Sequence, residues 1–199
     1  MYCTPVLGLF TCDNLIWAKP GKETNMKKMV TLMNKRTADN KGYTYIEVAG
    51  DIVAVSRLID ETPSGFISVH THEKPTWNGF IETEVNFPIQ QKGLGDMLAA
   101  LSNGDVIADD MGVLVITNQV GYNGASALFY PGVLSSLRSY YLIPSSIHEW
   151  LAIPKSYGDV EYLKAIIRQV NATQLSPDEV LSDRPYKAVF KDRWTIEEA

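Results

Sequence analysis

Residues 43–87 hold a series of short β-type segments separated by turn signals, and this pattern limits the fold more than any other feature of the sequence. Tyr43, Tyr45, Glu47 and Ala49 alternate with Thr44, Ile46 and Val48, so each set points to one side of an extended chain. Gly50-Asp51 then turns the chain into Ile52, Val53, Val55, Leu58 and Ile59, the arrangement of a hairpin. Pro63-Ser64-Gly65 supplies a second turn ahead of Phe66, Ile67, Ser68, Val69 and His70. Phe80, Ile81, Val85 and Phe87 give a further strand. Strands joined by such short turns pair antiparallel, so 43–87 reads as an antiparallel β region.

Beyond it the periodicity changes. Gly93-Leu94-Gly95 opens a helix holding Met97, Leu98 and Leu101, which Asn103-Gly104 ends. Val113 to Ile116 is a continuous apolar run of β-branched type, as in a strand buried on both faces. Ala125 to Tyr130 reads as helical, with Pro131-Gly132 restarting the chain before Val133, Leu134 and Leu137. Tyr140 to Ile143 and Trp150 to Ile153 read as strands around Pro144-Ser145-Ser146. Residues 159–171 give the clearest helix, with Val160, Leu163, Ile166, Ile167 and Val170 on one face. Ser176-Pro177-Asp178-Glu179 is a capping box with Pro at the first helical position, and Tyr186 to Phe190 is a closing strand. Ahead of the β region, Met26, Met29 and Met33 recur at helical spacing with Thr24 or Asn25 as cap. They imply a short amphipathic helix in an N-terminal extension, residues 1–40. The expected fold is α+β: a single domain over 41–199, with an antiparallel β-rich N-terminal half and helices packed in the C-terminal half.

Composition limits function. The chain has 199 residues, 45% of them hydrophobic, which suffices for one core and excludes disorder for most of the chain. Its net charge of −5 argues against nucleic acid or an anionic membrane as partner. The first ten residues are apolar but carry no Lys or Arg, and Pro5 and Gly8 break them, so they do not read as an export signal. Two cysteines, Cys3 and Cys12, are no disulfide scaffold; the expected location is the cytoplasm, with both thiols reduced.

Six segments follow one another in the last 80 residues or so. They are Thr117-Asn118, Asn123-Gly124-Ala125, Tyr130-Pro131-Gly132-Val133-Leu134, Ile143-Pro144-Ser145-Ser146-Ile147-His148-Glu149, Val170-Asn171-Ala172-Thr173-Gln174 and Glu179-Val180-Leu181-Ser182-Asp183. In this order they resemble the C-terminal half of a bacterial family known only as a domain of unknown function. That resemblance implies a fold relative and no particular reaction. Trp150 and Arg184-Pro185 depart from the family pattern.

Four sets of residues are candidates for chemistry. Ser145, Ser146, His148 and Glu149 put two hydroxyls, an imidazole and a carboxylate within five residues, a polar site at a strand end with His148 as proton carrier. Gln90-Gln91-Lys92-Gly93-Leu94-Gly95 resembles the phosphate loop of the GNAT acyltransferases. In that family backbone N–H groups at a helix N-terminus cradle acetyl-CoA, which would give Gln90, Gln91, Gly93 and Gly95 cofactor contacts and Tyr130 the role of general acid. Asp96 puts a negative charge beside that loop. His70-Thr71-His72 places two imidazoles on one strand face, a start for a metal-dependent hydrolase; it is similar to the JAMM metalloprotease motif, but Glu73 replaces its proline and no Ser-x-x-Asp follows at suitable spacing. Trp17, Trp77, Trp150 and Trp194 fit either core edges or a contact surface. No complete catalytic or metal set converges in the sequence. The leading expectation is therefore a binding or regulatory protein with no resident cofactor, another protein as partner and a mobile-element setting. A GNAT-like N-acyltransferase comes second and a His-x-His metal hydrolase third.

Overall fold

The computed structural model describes residues 26–62, 65–80, 89–93, 112–157 and 159–199. Expectations that fall on other positions lie outside the described residues. These include Cys3, Cys12, Trp17, Gly95 and the helix over 96–101.

The hairpin signals at 43–70 are realised. Strand β2 (Tyr45–Ala49) turns at Gly50-Asp51 into β3 (Ile52–Thr62), which pairs in turn with β4 (Gly65–His70). Strand β3 is eleven residues long and uses one edge twice: Ile52 to Val55 pair with β2, and Arg57 to Thr62 pair with β4. Its other edge is taken along its length by β1 (Lys27–Asn34), from Lys27 opposite Ile59 to Asn34 opposite Ile52. The amphipathic helix expected from the methionines is thus a strand. Met29, Val30, Thr31, Leu32 and Met33 are all buried. Consecutive burial needs two covered faces, which an extended chain between two layers provides and a surface helix does not. Asn34 then caps helix α1 (Lys35–Lys41), its side chain accepting from the Arg36 N–H, and Gly42 ends it in the left-handed conformation, φ 66°.

The C-terminal half corrects the expected fold class. Instead of packed helices it builds a second antiparallel sheet of six strands, ordered β10-β9-β7-β8-β6-β5. These are β5 (Ile89–Gly93), β6 (Leu114–Asn118), β7 (Tyr140–Ser146), β8 (Glu149–Pro154), β9 (Tyr186–Phe190) and β10 (Trp194–Glu198). The chain is strand-rich, and its described α-helices beyond residue 130 are α2 (Val133–Ser136) and α3 (Val160–Gln174). β5 has little apolar content and so carries no strong strand signal; its partner β6 imposes the conformation. Ala125 to Tyr130 was read as helical, and Gly124–Phe129 is a 3₁₀ helix. Residues 177–179 form only a turn after Ser176, and one arm of the capping box forms: the Ser176 N–H and hydroxyl both donate to Glu179 Oε2, at 3.1 and 2.7 Å, while the Glu179 N–H donates to the Ser176 carbonyl and not to its hydroxyl. No helix follows because Leu181 and Ser182 are held by distant amides, their carbonyls accepting from Asn34 Nδ2 and Asn171 Nδ2.

The two sheets share one core. Val30, Leu32, Ile52 and Ala54 of the first pack with Ile116, Leu142, Trp150, Tyr186 and Ile196 of the second, and the 3₁₀ helix and α2 fill between them with Ala125, Leu128 and Leu134. Helix α3 covers the far face of the second sheet, setting Leu163 and Ile167 against Ile143. Its Asp159 cap accepts from the Glu161 and Tyr162 N–H groups. No helix among the described residues is long and apolar enough to cross a membrane.

Candidate functional site

Residues 144–149 take in the bulged end of β7, where the register shifts between Pro144 and Ser146, the turn at 147–148 and the first residue of β8. Three other segments hold this turn. Thr117 of β6 donates its hydroxyl to the His148 carbonyl at 2.8 Å; the Ile147 carbonyl accepts from the Ala125 N–H and the Ile147 N–H donates to the Glu179 carbonyl. The approach is so close that a Cβ on Gly124 would collide with Thr117 Oγ1 and the His148 carbonyl, so only glycine fits there. Below it, Trp150 donates its indole N–H to the Ala125 carbonyl at 3.0 Å inside the core.

The His148 side chain is fixed from both ends. Its Nδ1 accepts from the Asn123 N–H at 3.1 Å, and Asn123 holds the left-handed conformation, φ 48°, that aims this N–H. With Nδ1 used as an acceptor, the neutral ring carries its proton on Nε2. That nitrogen lies 4.0 Å from Glu179 Oε1, and both side chains are more than nine-tenths buried. Ser146 is fully buried and its Oγ accepts from the His148 backbone N–H. The pairing of hydroxyl and imidazole that nucleophilic catalysis needs is therefore absent from Ser146 and His148. Ser145 donates to Glu149 Oε1 at 3.2 Å, and burial pushes the Glu149 carboxyl up, partly offset by that hydroxyl. Tyr130 closes the far end of the 3₁₀ helix through its N–H to the Ala127 carbonyl, and burial raises its hydroxyl pKa. Of the predicted site residues, the fold thus keeps Ser145, Ser146, His148 and Glu149 together on one turn.

The other candidates fall elsewhere. Gln90, Gln91 and Gly93 lie on β5, paired with Thr117, Ile116 and Leu114 of β6. Successive N–H groups of a strand point to opposite edges, so residues 89–93 do not offer the row of converging donors that a pyrophosphate cradle uses. His70 ends β4 and stacks on Tyr43, with ring centroids 3.6 Å apart; His72 meets it edge-on at 5.8 Å. No group of three metal-ligating side chains occurs among the described residues.

A second polar cluster was not visible in the sequence. Asp51, in the first hairpin turn, accepts at Oδ1 from the hydroxyls of Ser182 and Tyr186, at 2.6 and 2.8 Å, and these hydroxyls lie 2.9 Å apart. Ser182 and Tyr186 are fully buried. Burial raises the Tyr186 pKa strongly, so it stays a donor. Gly50-Asp51 was a turn signal and Leu181-Ser182-Asp183 part of a family motif, but nothing in the sequence links them across some 130 positions. Above the cluster a cleft of about 1260 Å³ opens between α1, the C-terminal end of α3 and residues 175–183. Its Lys41 pairs with Asp178 and its Lys35 with Glu47. Arg36 and Arg168 line it with no carboxylate partner among the described residues.

No curated protein and no solved structure matches the chain. A family of unknown function, DUF5688, matches residues 81–187, from before β5 into β9. The match takes in the 144–149 turn, the 3₁₀ helix and the Ser182–Tyr186 half of the second cluster. It spans just over half of the sequence, and the chain belongs to this family of unknown function.

Proposed function

We propose that this chain works by binding another protein and not by catalysis. One observation carries the reading: the Ser146 hydroxyl and the His148 imidazole, the groups that offered a reaction centre, are consumed inside the fold. Ser182 and Tyr186 are fully buried on the carboxylate of distant Asp51, His148 is nearly so and accepts from the Asn123 N–H, and Ser146 is fully buried with its hydroxyl taken up by the His148 N–H of its own turn. Groups spent on holding loops are not available to a substrate. The docking place in this reading is the cleft between α1 and α3, where Arg36 and Arg168 stand beside Asp39 and Asp183 and offer charges of both signs to a partner. A cytoplasmic, bacterial setting belongs to the same reading.

The test is affinity capture from the native host with the full chain and with an Arg36→Glu, Arg168→Glu variant. A partner recovered by the first and lost by the second supports the proposal. Recovery of the same proteins by both overturns the docking place. A stabilisation of about 2.7 kcal/mol by acetyl-CoA at a hundred times its dissociation constant would instead favour the acyltransferase and overturn binding as the whole function.

A further inference from the structure

β1 and β3 have two faces. Val30 and Leu32 face the shared core, while Met29, Thr31 and Met33 face the other way. On that second face Met33 packs with Val53 and Val55 under α1, and Met29 packs with Ile59, Phe66 and Tyr122. Between these two apolar clusters runs a polar strip: Thr31, Arg57, then His70 opposite Arg57 and Ser68 opposite Ile59.

Arg57 is only 6% exposed. Its Nη1 donates to Ser68 Oγ at 2.9 Å, its Nε has no partner, and no carboxylate pairs with it among the described residues. A guanidinium does not shed its proton, so a buried one without a counter-charge is costly. Ser68 Oγ also accepts from the Tyr122 hydroxyl at 2.7 Å. Its two lone pairs are then in use, and its own O–H is left to donate. Thr31 Oγ1 and both ring nitrogens of His70 are likewise buried without partners. The strip therefore gathers donors, namely Arg57 Nε–H, the Ser68 and Thr31 hydroxyls and a His70 N–H, around a fixed positive charge. Burial, and then the charges of Arg57 and His72, hold the His70 pKa below its ordinary value, against an opposing contact with the Ser56 backbone; a bound anion reverses that penalty. Tyr43, stacked on His70, covers one side.

We propose that this strip binds a small oxyanion, a phosphate or carboxylate group, on Arg57 with Ser68, Thr31 and His70 as further donors. The site lies apart from the cleft between α1 and α3 and does not depend on a protein partner.

The full chain is titrated with inorganic phosphate and, in a separate arm, with acetate, at ionic strength held constant with chloride. Melting temperature and the His70 ring resonances are followed. The expected result is a saturable rise in melting temperature with an upward shift of the His70 titration. Saturation by phosphate alone identifies a phosphoryl group and saturation by acetate alone a carboxylate; either supports the site. Ser68→Ala, which keeps Arg57 and the apolar clusters but takes the acceptor from Arg57 Nη1 and the Tyr122 hydroxyl, is expected to melt below the wild type in chloride and to bind the anion roughly tenfold more weakly. Arg57→Met is expected to lose the response. No saturable response to either anion, or an unchanged affinity in Ser68→Ala, overturns the proposal. The Arg36→Glu, Arg168→Glu variant is expected to keep the response, which separates this site from partner binding.

Discussion

Gly124→Ala tests how tightly the 144–149 turn is locked to β6. An added methyl has no room: it collides with Thr117 Oγ1 and the His148 carbonyl, and lies 2.9 Å from the Asn118 nitrogen. Two of these neighbours are backbone, so relief requires the 3₁₀ helix to move off β6. Overpacking of this kind costs about 1–3 kcal/mol. Losing the Thr117 bond leaves the buried His148 carbonyl without its donor, a further ~1–3 kcal/mol. The expected loss is therefore about 2–6 kcal/mol, a large part of the roughly 5–15 kcal/mol by which a domain is stable. Urea denaturation at constant m-value reads it. Gly132→Ala is the control, since nothing lies within 4 Å of its added Cβ and only the positive φ of 85° opposes it, a cost of about 1–2 kcal/mol. In a Thr117→Ala background the Gly124→Ala cost should fall, because the nearest obstacle is gone. A Gly124→Ala protein within about 0.5 kcal/mol of wild type, or a cost unchanged by Thr117→Ala, would refute the reasoning.

Other outcomes follow from the same contacts. Tyr186→Phe removes one of two hydroxyls on Asp51 and should cost about 1.5–3 kcal/mol; Asp51→Ala, which takes the shared acceptor from both hydroxyls and leaves them only each other, should cost more in the same denaturation series. Trp150→Phe breaks the indole bond to the Ala125 carbonyl and opens a small void, for roughly 2–4 kcal/mol. The Glu149 carboxyl has a folded pKa above its unfolded value, so its contribution is present at acid pH and is lost as pH rises through the folded value. Glu149→Gln should therefore gain on the wild type as pH rises from the acid range to neutrality and then level off; a stability difference that does not change with pH would contradict this.

Local chemistry made much of the fold legible. The β2–β3 hairpin at Gly50-Asp51, the strands either side of Pro144-Ser145-Ser146, and the helix over 160–174 each carry their own turn, cap or period, and each forms. β1 was misread because Met29 and Met33 fit a helical repeat and a two-residue repeat equally; covered faces decide between them, and those depend on the second sheet. β5, Ile-Gln-Gln-Lys-Gly, is an edge strand whose conformation comes from pairing with β6 and not from its own side chains. The site divides along the same line. Ser145, Ser146, His148 and Glu149 were visible as a polar turn, but their use as internal fasteners was not, because the partners Thr117, Asn123 and Glu179 come from three other segments. Arg57 gave no signal at all, since an arginine in a strand looks like a solvated residue until burial is known.

The shared core has a consequence for any attempt to cut this protein down. The region matched by the family begins at residue 81, after β1 to β4. Yet Val30, Leu32, Ile52 and Ala54 lie against Trp150 and Tyr186, and Asp51 receives the hydroxyls of Ser182 and Tyr186. A fragment starting at residue 81 would bare one whole wall of its interior to water and strip two hydroxyls of their acceptor. The smallest piece able to stand by itself must reach back at least to Lys27, so the boundary of sequence likeness is not a boundary of folding.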